Sequence, residues 1–363
     1  MELFLDDKTS LIMLRTVARD ASLRLVPAHR TSPAPLSVSP AKLNRLGVPR
    51  LLSYLRMPEE RSLGILVPEG KDRIRAKGID CHVCKHFRGE DPVRELVEDQ
   101  HQTERPLIPD GVRAFVLSPE NIVLGMAGRL QTLVTKGKMT HERAELMLLK
   151  LCLELCGTYS HDPFDPHAGK VTYRVQPCMT CESFRSFLQE KGAEKGLRLA
   201  RKVAPLAYDL SGSPQESFMG PGLFGCSRLG GYGLCAFEAN KPLDLSYARR
   251  QLIEDRTITP DFTLMGYDSV VEYLGSIHKE GRNPQIDHVR SLDYQTLGIR
   301  EFSFAYDDVR TRADFERSAS RLVAVLEAYD GPEARRRFDR LRKSSAFAKR
   351  QRTLFEVFRP WLR

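Results

Sequence analysis

The stretch that most constrains this chain is residues 258–275, ITPDFTLMGYDSVVEYLG. Two apolar, β-prone runs flank a turn at 265–268, which predicts a hairpin. Each run carries one acid, Asp261 in the first and Glu272 in the second. A carboxylate among apolar strand residues is costly unless it is paired or bound to a metal. On neighbouring antiparallel strands the two acids can grip one divalent cation. A metal site of the nuclease type is therefore expected on this hairpin.

The remaining chain supplies the setting. At 363 residues it exceeds one ordinary core, so two domains and a tail are expected. Hydrophobic residues at 41% and charged residues at 28% describe a globular protein, and no apolar run is long enough to span a bilayer. The N-terminus lacks a basic start and a small-residue cleavage site, so no signal peptide, no membrane partner and a cytoplasmic location are expected. The net charge of +9 is compatible with a polyanionic partner, and arginine and lysine collect beyond residue 330.

Eight cysteines in such a chain read as reduced thiols. Cys81/Cys84 and Cys178/Cys181 have the C-x-x-C spacing of zinc ligands. Nearly a hundred residues separate the pairs, which argues against a compact four-thiolate zinc module and for ordinary half-buried thiols.

In the first half, strands are expected over 62–68, 78–83 and 109–118. Helices are expected over 120–133 and 141–156, the first capped by Ser118-Pro119. This is an α+β layer with no evident catalytic cluster. Further on, Ser213 is a natural N-cap with Pro214 in the first turn, and Glu216 falls at the capping-box position. The glycine-rich run 225–233 lacks the Gly-Lys-Ser/Thr ending of a P-loop and reads as a flexible turn. A helix over 281–297, a strand over 299–305 and a helix over 312–329 follow the hairpin, giving an α/β pattern. Beyond 331, Arg335, Arg336, Arg337 and later basic residues interleave with Phe338, Phe347, Phe355, Phe358 and Trp361. Such a basic, aromatic helical tail can pack its rings on the body, set its charges against nucleic-acid phosphates, or do both.

Pro260-Asp261, Val270-Val271-Glu272-Tyr273-Leu274-Gly275 with His278, Asp287-His288-Val289-Arg290, and Leu297-Gly298-Ile299 occur in an order that is fairly specific. Together they resemble the very-short-patch-repair-like branch of the restriction-endonuclease-like PD-(D/E)XK superfamily, over roughly residues 207–330. Residues 82–83, 116–120 and 155–159 are similar to proteins in which an abortive-infection antitoxin-like region precedes such a domain. The resemblance implies a restriction-endonuclease-like mixed sheet flanked by helices at 207–330. An antitoxin-like α+β region would cover 1–206, and a basic helical tail 331–363.

The resemblance also implies Mg²⁺ or Mn²⁺ held by Asp261 and Glu272, with Glu216 as a third acid, and DNA as the partner. The family motif ends in a lysine that orients the attacking water, and this chain has Leu274 there. Leucine can neither donate, accept nor bind a metal, so His278 or Lys279 would have to substitute. Arg290 is a candidate phosphate contact, set against a plain reading in which it pairs with Asp287 and Asp293 on a solvated helix face. Two functions follow as expectations: a metal-dependent endonuclease in defence, repair or mobile-element biology, or a catalytically inactive DNA-binding regulator using the same fold as a platform.

Overall fold

The computed structural model describes residues 2–28, 41, 43, 46–83, 93–98, 112–253, 257–275 and 284–358. The chain divides into two compact units, one of residues 1–136 with 160–201, the other of 137–159 with 202–363.

In the first unit, strand β1 (Glu2–Phe4) pairs in parallel with a strand at Arg113–Leu117. Between them in sequence come β2 (Leu23–Pro27), β3 (Leu63–Val67), β4 (Ile79–Val83) and β5 (Val93–Glu98), which makes Arg113–Leu117 β6. One sheet has the order β1-β6-β5-β2, and β3 and β4 form a parallel pair. β5 carries three charged residues in six and has no strand signature. Arg113 on β6 explains how it is held: its guanidinium donates to both Glu95 oxygens at 2.8 and 2.6 Å and to Glu2 at 2.9 Å. Ser118 caps the helix Pro119–Thr135 by accepting the Asn121 N–H, with Pro119 at its first position, as the sequence predicts.

In the second unit a four-stranded mixed sheet is built from β7 (Phe237–Ala239), β8 (Phe262–Leu264), β9 (Ser269–Leu274) and β10 (Arg300–Ala305), in the order β10-β9-β8-β7. The predicted hairpin is β8–β9, antiparallel, with Phe262 opposite Val271 and Thr263 opposite Val270. Gly266 supplies the positive φ of 85° that the turn requires. β10 runs parallel to β9 over six residue pairs. A parallel neighbour demands a crossover, and the helix Pro284–Thr296 provides it.

A helix at Pro214–Met219 winds into a π-turn at Gly220–Phe224. It packs Phe218 against Phe315 and Phe355, each 4.8 Å away between ring centres. Residues 225–233 are not the flexible turn expected. Gly231 is buried, and a Cβ there would lie 2.2 Å from the Pro221 carbonyl oxygen, so glycine is needed for close backbone packing.

Two boundaries differ from the sequence reading. The helix His141–Leu155, expected in the N-terminal region, belongs to the second unit. It is apolar over most of its surface and needs partners on several sides. Its Lys150 Nζ donates to the Val357 carbonyl at 2.8 Å, and its buried Glu145 pairs with Lys202 at 2.6 Å and Arg228 at 2.5 Å. The tail is two helices rather than one, Pro332–Arg342 and Ser345–Phe358. Ser344 restarts the chain by accepting the Phe347 N–H at 3.2 Å. Both helices bury aromatic rings: Phe338 and Phe347 lie 4.7 and 5.3 Å from Tyr232. No described helix is long and apolar enough to cross a membrane.

Candidate active site

The hairpin register brings the two acids side by side. Asp261 immediately precedes β8, and continuing the ladder one step from Phe262–Val271 sets it opposite Glu272. The contact is direct at the backbone, since the Tyr273 N–H donates to Asp261 Oδ2 at 2.6 Å. Glu272 sits in a strand whose residues are buried from Ser269 to Tyr273, and is itself 3% exposed.

The crossover helix faces Glu272 with two side chains one turn apart. Tyr294 donates its hydroxyl to Glu272 Oε1 at 2.5 Å, and Arg290 brings a guanidinium nitrogen to 3.7 Å of the same oxygen. The i, i+4 spacing puts both on one helix face. Arg290 therefore faces the hairpin acid.

Glu216 does cap its helix, in a variant of the expected box. Its N–H donates to Ser213 Oγ at 3.2 Å, while its carboxylate accepts from Ser213 Oγ at 2.8 Å and from the Gly212 N–H at 2.7 Å. Asn240, just beyond β7, approaches Glu216 Oε2 at 3.5 Å. Capping does not remove this residue from the site, because its carboxyl also feels Glu272 electrostatically.

The three acids share one electrostatic neighbourhood. Burial, then the charge of Asp261, pushes the Glu272 carboxyl up to about 8, against the opposing pull of Arg290 and the Tyr294 hydrogen bond. Burial also raises Glu216; hydrogen bonds from Gly212, Ser213 and Asn240 oppose this, and the charge of Glu272 adds to it. Carboxylates pushed up by burial and by one another mark a site with more negative charge than its cations balance. Hard oxygen donors in that state suit Mg²⁺ or Mn²⁺. Among the described residues no three carboxylates bring one oxygen each within 4.8 Å of the others. The oxygen donors of Asp261 and Glu272 are thus of the kind such a cation takes, while the three acids do not close into one triad.

Leu274 ends β9 with 37% of its surface exposed. His278 and Lys279 lie outside the described residues. Of the tail arginines, Arg335 binds Glu327 at 3.3 Å and Ser320 Oγ at 2.8 Å, and Arg337 donates to the carbonyls of Gly233 and Leu234. Arg336 is 65% exposed and pairs with Glu333 at 3.4 Å. Cys81 is engaged at its own backbone neighbourhood, accepting the Ile74 N–H at 3.3 Å, and Cys84 lies outside the described residues. Sequence reasoning missed Tyr294 and Asn240; the Arg290/Tyr294 spacing was the available signal for the first.

Set beside models of known families, curated proteins and solved structures, the chain matches none of them.

Proposed function

We propose that residues 207–330 form a restriction-endonuclease-like domain of the very-short-patch-repair-like branch, which binds DNA and hydrolyses its phosphodiester bonds with Mg²⁺ or Mn²⁺. One observation carries this reading. A helix, three antiparallel strands with a short helix at Tyr247–Arg250 between the first two, a crossover helix and a fourth strand parallel to the third occur in this order, and the acid before the second strand faces the acid in the third.

Asp261 and Glu272 would hold the ion, with Glu216 contributing from its cap position. When bound, the ion supplies a nucleophilic water at neutral pH and stabilises charge on the phosphate. The chain's own part is positioning. The Tyr273 N–H fixes Asp261, Tyr294 and Arg290 fix Glu272, and Ser213 with Gly212 fixes Glu216. Arg290 also brings positive charge to the rim where a phosphate would approach. Leu274 contributes no proton, so acid–base work falls to His278 or Lys279. Arg336, Arg340, Lys349 and Arg352 are exposed on the tail helices and supply phosphate contacts.

A second reading, a non-cleaving DNA-binding regulator, is favoured by Leu274 at the lysine position and by Arg290 standing where it partly neutralises Glu272. Supercoiled and mismatched DNA incubated with the protein in Mg²⁺ or Mn²⁺ separates the two. The nuclease reading expects cleavage that is lost in Asp261→Ala and Glu272→Ala. Salt-sensitive binding without cleavage in either metal selects the regulator. Absence of binding at low salt overturns both.

A further inference from the structure

The first unit holds a second constellation, unrelated to the hairpin acids. Asp6 and Asp7 come just after β1, and both are buried. Arg129, from the helix Pro119–Thr135, is shared between them: Nε donates to Asp7 Oδ2 at 2.6 Å, and Nη2 reaches Asp7 Oδ1 and, at 3.0 Å, Asp6 Oδ2. The two acids thus cancel its charge and fix the plane of its guanidinium. Nη1 makes no hydrogen bond among the described residues. His82 Nε2 on β4 lies 3.4 Å from the Asp6 oxygen that Nη2 reaches.

Beside this clasp lies a cavity of about 400 Å³, within the range of small-molecule sites, roughly 300–1,000 Å³. It is lined where β3, β4 and β6 reach their carboxyl ends, the usual place for ligands in open α/β sheets. Gly125 and Gly128, in the middle of the helix that carries Arg129, also border it. A Cβ at 125 would lie 3.0 Å from Asp7, and one at 128 would lie 3.1 Å from the Lys195 carbonyl oxygen. Both glycines are held against helix propensity, and they let the helix come close to the acid and to the 195 backbone.

The walls are apolar, planar and charge-balanced in turn. Leu66, Val83, Leu117 and Leu124 make the apolar side. Two planar groups border the same space, the half-exposed His82 imidazole and the fixed Arg129 guanidinium. Imidazole rings and guanidinium planes are groups on which a flat heterocyclic base stacks. The charges of the lining cancel: Asp7 stands against Arg129, and Glu194 is the chain neighbour of Lys195. An anion meets no net attraction there and loses its hydration on entering. Balanced charges still leave donors and acceptors side by side. Arg129 Nη1 and Lys195 donate, while Glu194 accepts, as does the amide oxygen of Asn121, whose Nδ2 is spent on Ser118 Oγ at 3.2 Å. A hydroxyl group answers both kinds without carrying charge.

We infer that this cavity binds an uncharged nucleoside, its base on the apolar side against His82 and Arg129 and its ribose hydroxyls on the charge-balanced side. A flat ring, a cluster of hydroxyls and the absence of net charge are what the walls select, and a nucleoside joins the three in one molecule of this size. The site is independent of the hairpin and of the proposed nuclease chemistry.

The test is calorimetric titration of the full wild-type chain with adenosine, inosine, cytidine and uridine, with their 5′-monophosphates and with their free bases. At least one nucleoside is expected to bind with a Kd below about 1 mM, and its monophosphate and its free base each about tenfold more weakly or not at all. Three variants follow after a melting check. Thr132→Trp, which fills the cavity from its lining, should abolish binding. His82→Ala should weaken it about fivefold or more, and His82→Phe, which keeps a flat ring, should hold it within about twofold of the wild type. No binding by any nucleoside overturns the inference. A monophosphate that binds as tightly as its nucleoside overturns the charge argument, and a free base that does so overturns the ribose assignment. Binding undiminished in both Thr132→Trp and His82→Ala overturns the site, since the nucleoside is then held elsewhere.

Discussion

Replacing Glu272 with glutamine should stabilise the metal-free protein, increasingly so as the pH rises. In the folded chain the Glu272 carboxyl is held up to about 8, against its ordinary 4.5. Between those two values the native state keeps a proton that the unfolded chain has released. Stability from this group is therefore full below about pH 4.5, declines as pH rises and is lost once pH passes about 8. At about 1.36 kcal/mol for each pH unit between the two values, the loss approaches about 5 kcal/mol as an upper bound. Relaxation around the charge and its partly exposed partner Arg290 reduce this, so a measurable difference of about 2–4 kcal/mol is expected. Glutamine keeps an acceptor for the Tyr294 hydroxyl and removes the titration. Urea melts of both proteins from pH 5 to 9, without divalent metal, would show the gap widening in favour of Glu272→Gln. Mn²⁺ added at pH 8 should stabilise the wild type and leave the variant unmoved. Stability curves that run parallel across the whole range would refute the reasoning, because Glu272 would then carry no buried-charge cost.

Ser213→Ala removes both the N-cap of the Pro214–Met219 helix and a hydrogen bond to Glu216, and should cost about 1 kcal/mol or more in urea unfolding. Phe338→Ala takes a fully buried ring out of the stack on Tyr232, and a loss of about 3–5 kcal/mol is expected by denaturant melts. The neighbouring arginines should separate by role. Arg337→Ala leaves the Gly233 and Leu234 carbonyls without their donor and lowers stability by about 1–3 kcal/mol. Arg336→Ala leaves stability unchanged and, on the DNA-binding reading, reduces the slope of log affinity against log salt by about 1.

The hairpin was legible because everything that specifies it is local: alternating apolar runs, a glycine able to take positive φ, and one acid on each side. The caps at Ser118 and Ser213 were legible for the same reason. What escaped was held by distant partners. β7 is three residues long and owes its strand geometry to pairing with β8. β5 owes its place to the Arg113 fork on Glu95. The helix face of Asp287, Arg290 and Asp293 offers only local ion pairs to a sequence reading, whereas Arg290 meets Glu272 eighteen positions away, across the crossover. The membership of residues 137–159 in the second unit has the same origin, since Lys150 and Glu145 find their partners at Val357, Lys202 and Arg228. The Asp6–Asp7–Arg129 clasp also joins residues more than a hundred positions apart, so it gave no signature in the N-terminal region.

The proposed cation site consists of Asp261, just before β8, and Glu272, opposite it on β9. Mn²⁺ binding followed by electron paramagnetic resonance at pH 8 tests it most directly. The wild type should bind one ion strongly, and Asp261→Asn and Glu272→Gln, which keep shape and hydrogen-bond acceptors, should each lose it. A wild type that binds no Mn²⁺, or an ion held undiminished in both variants, would contradict it.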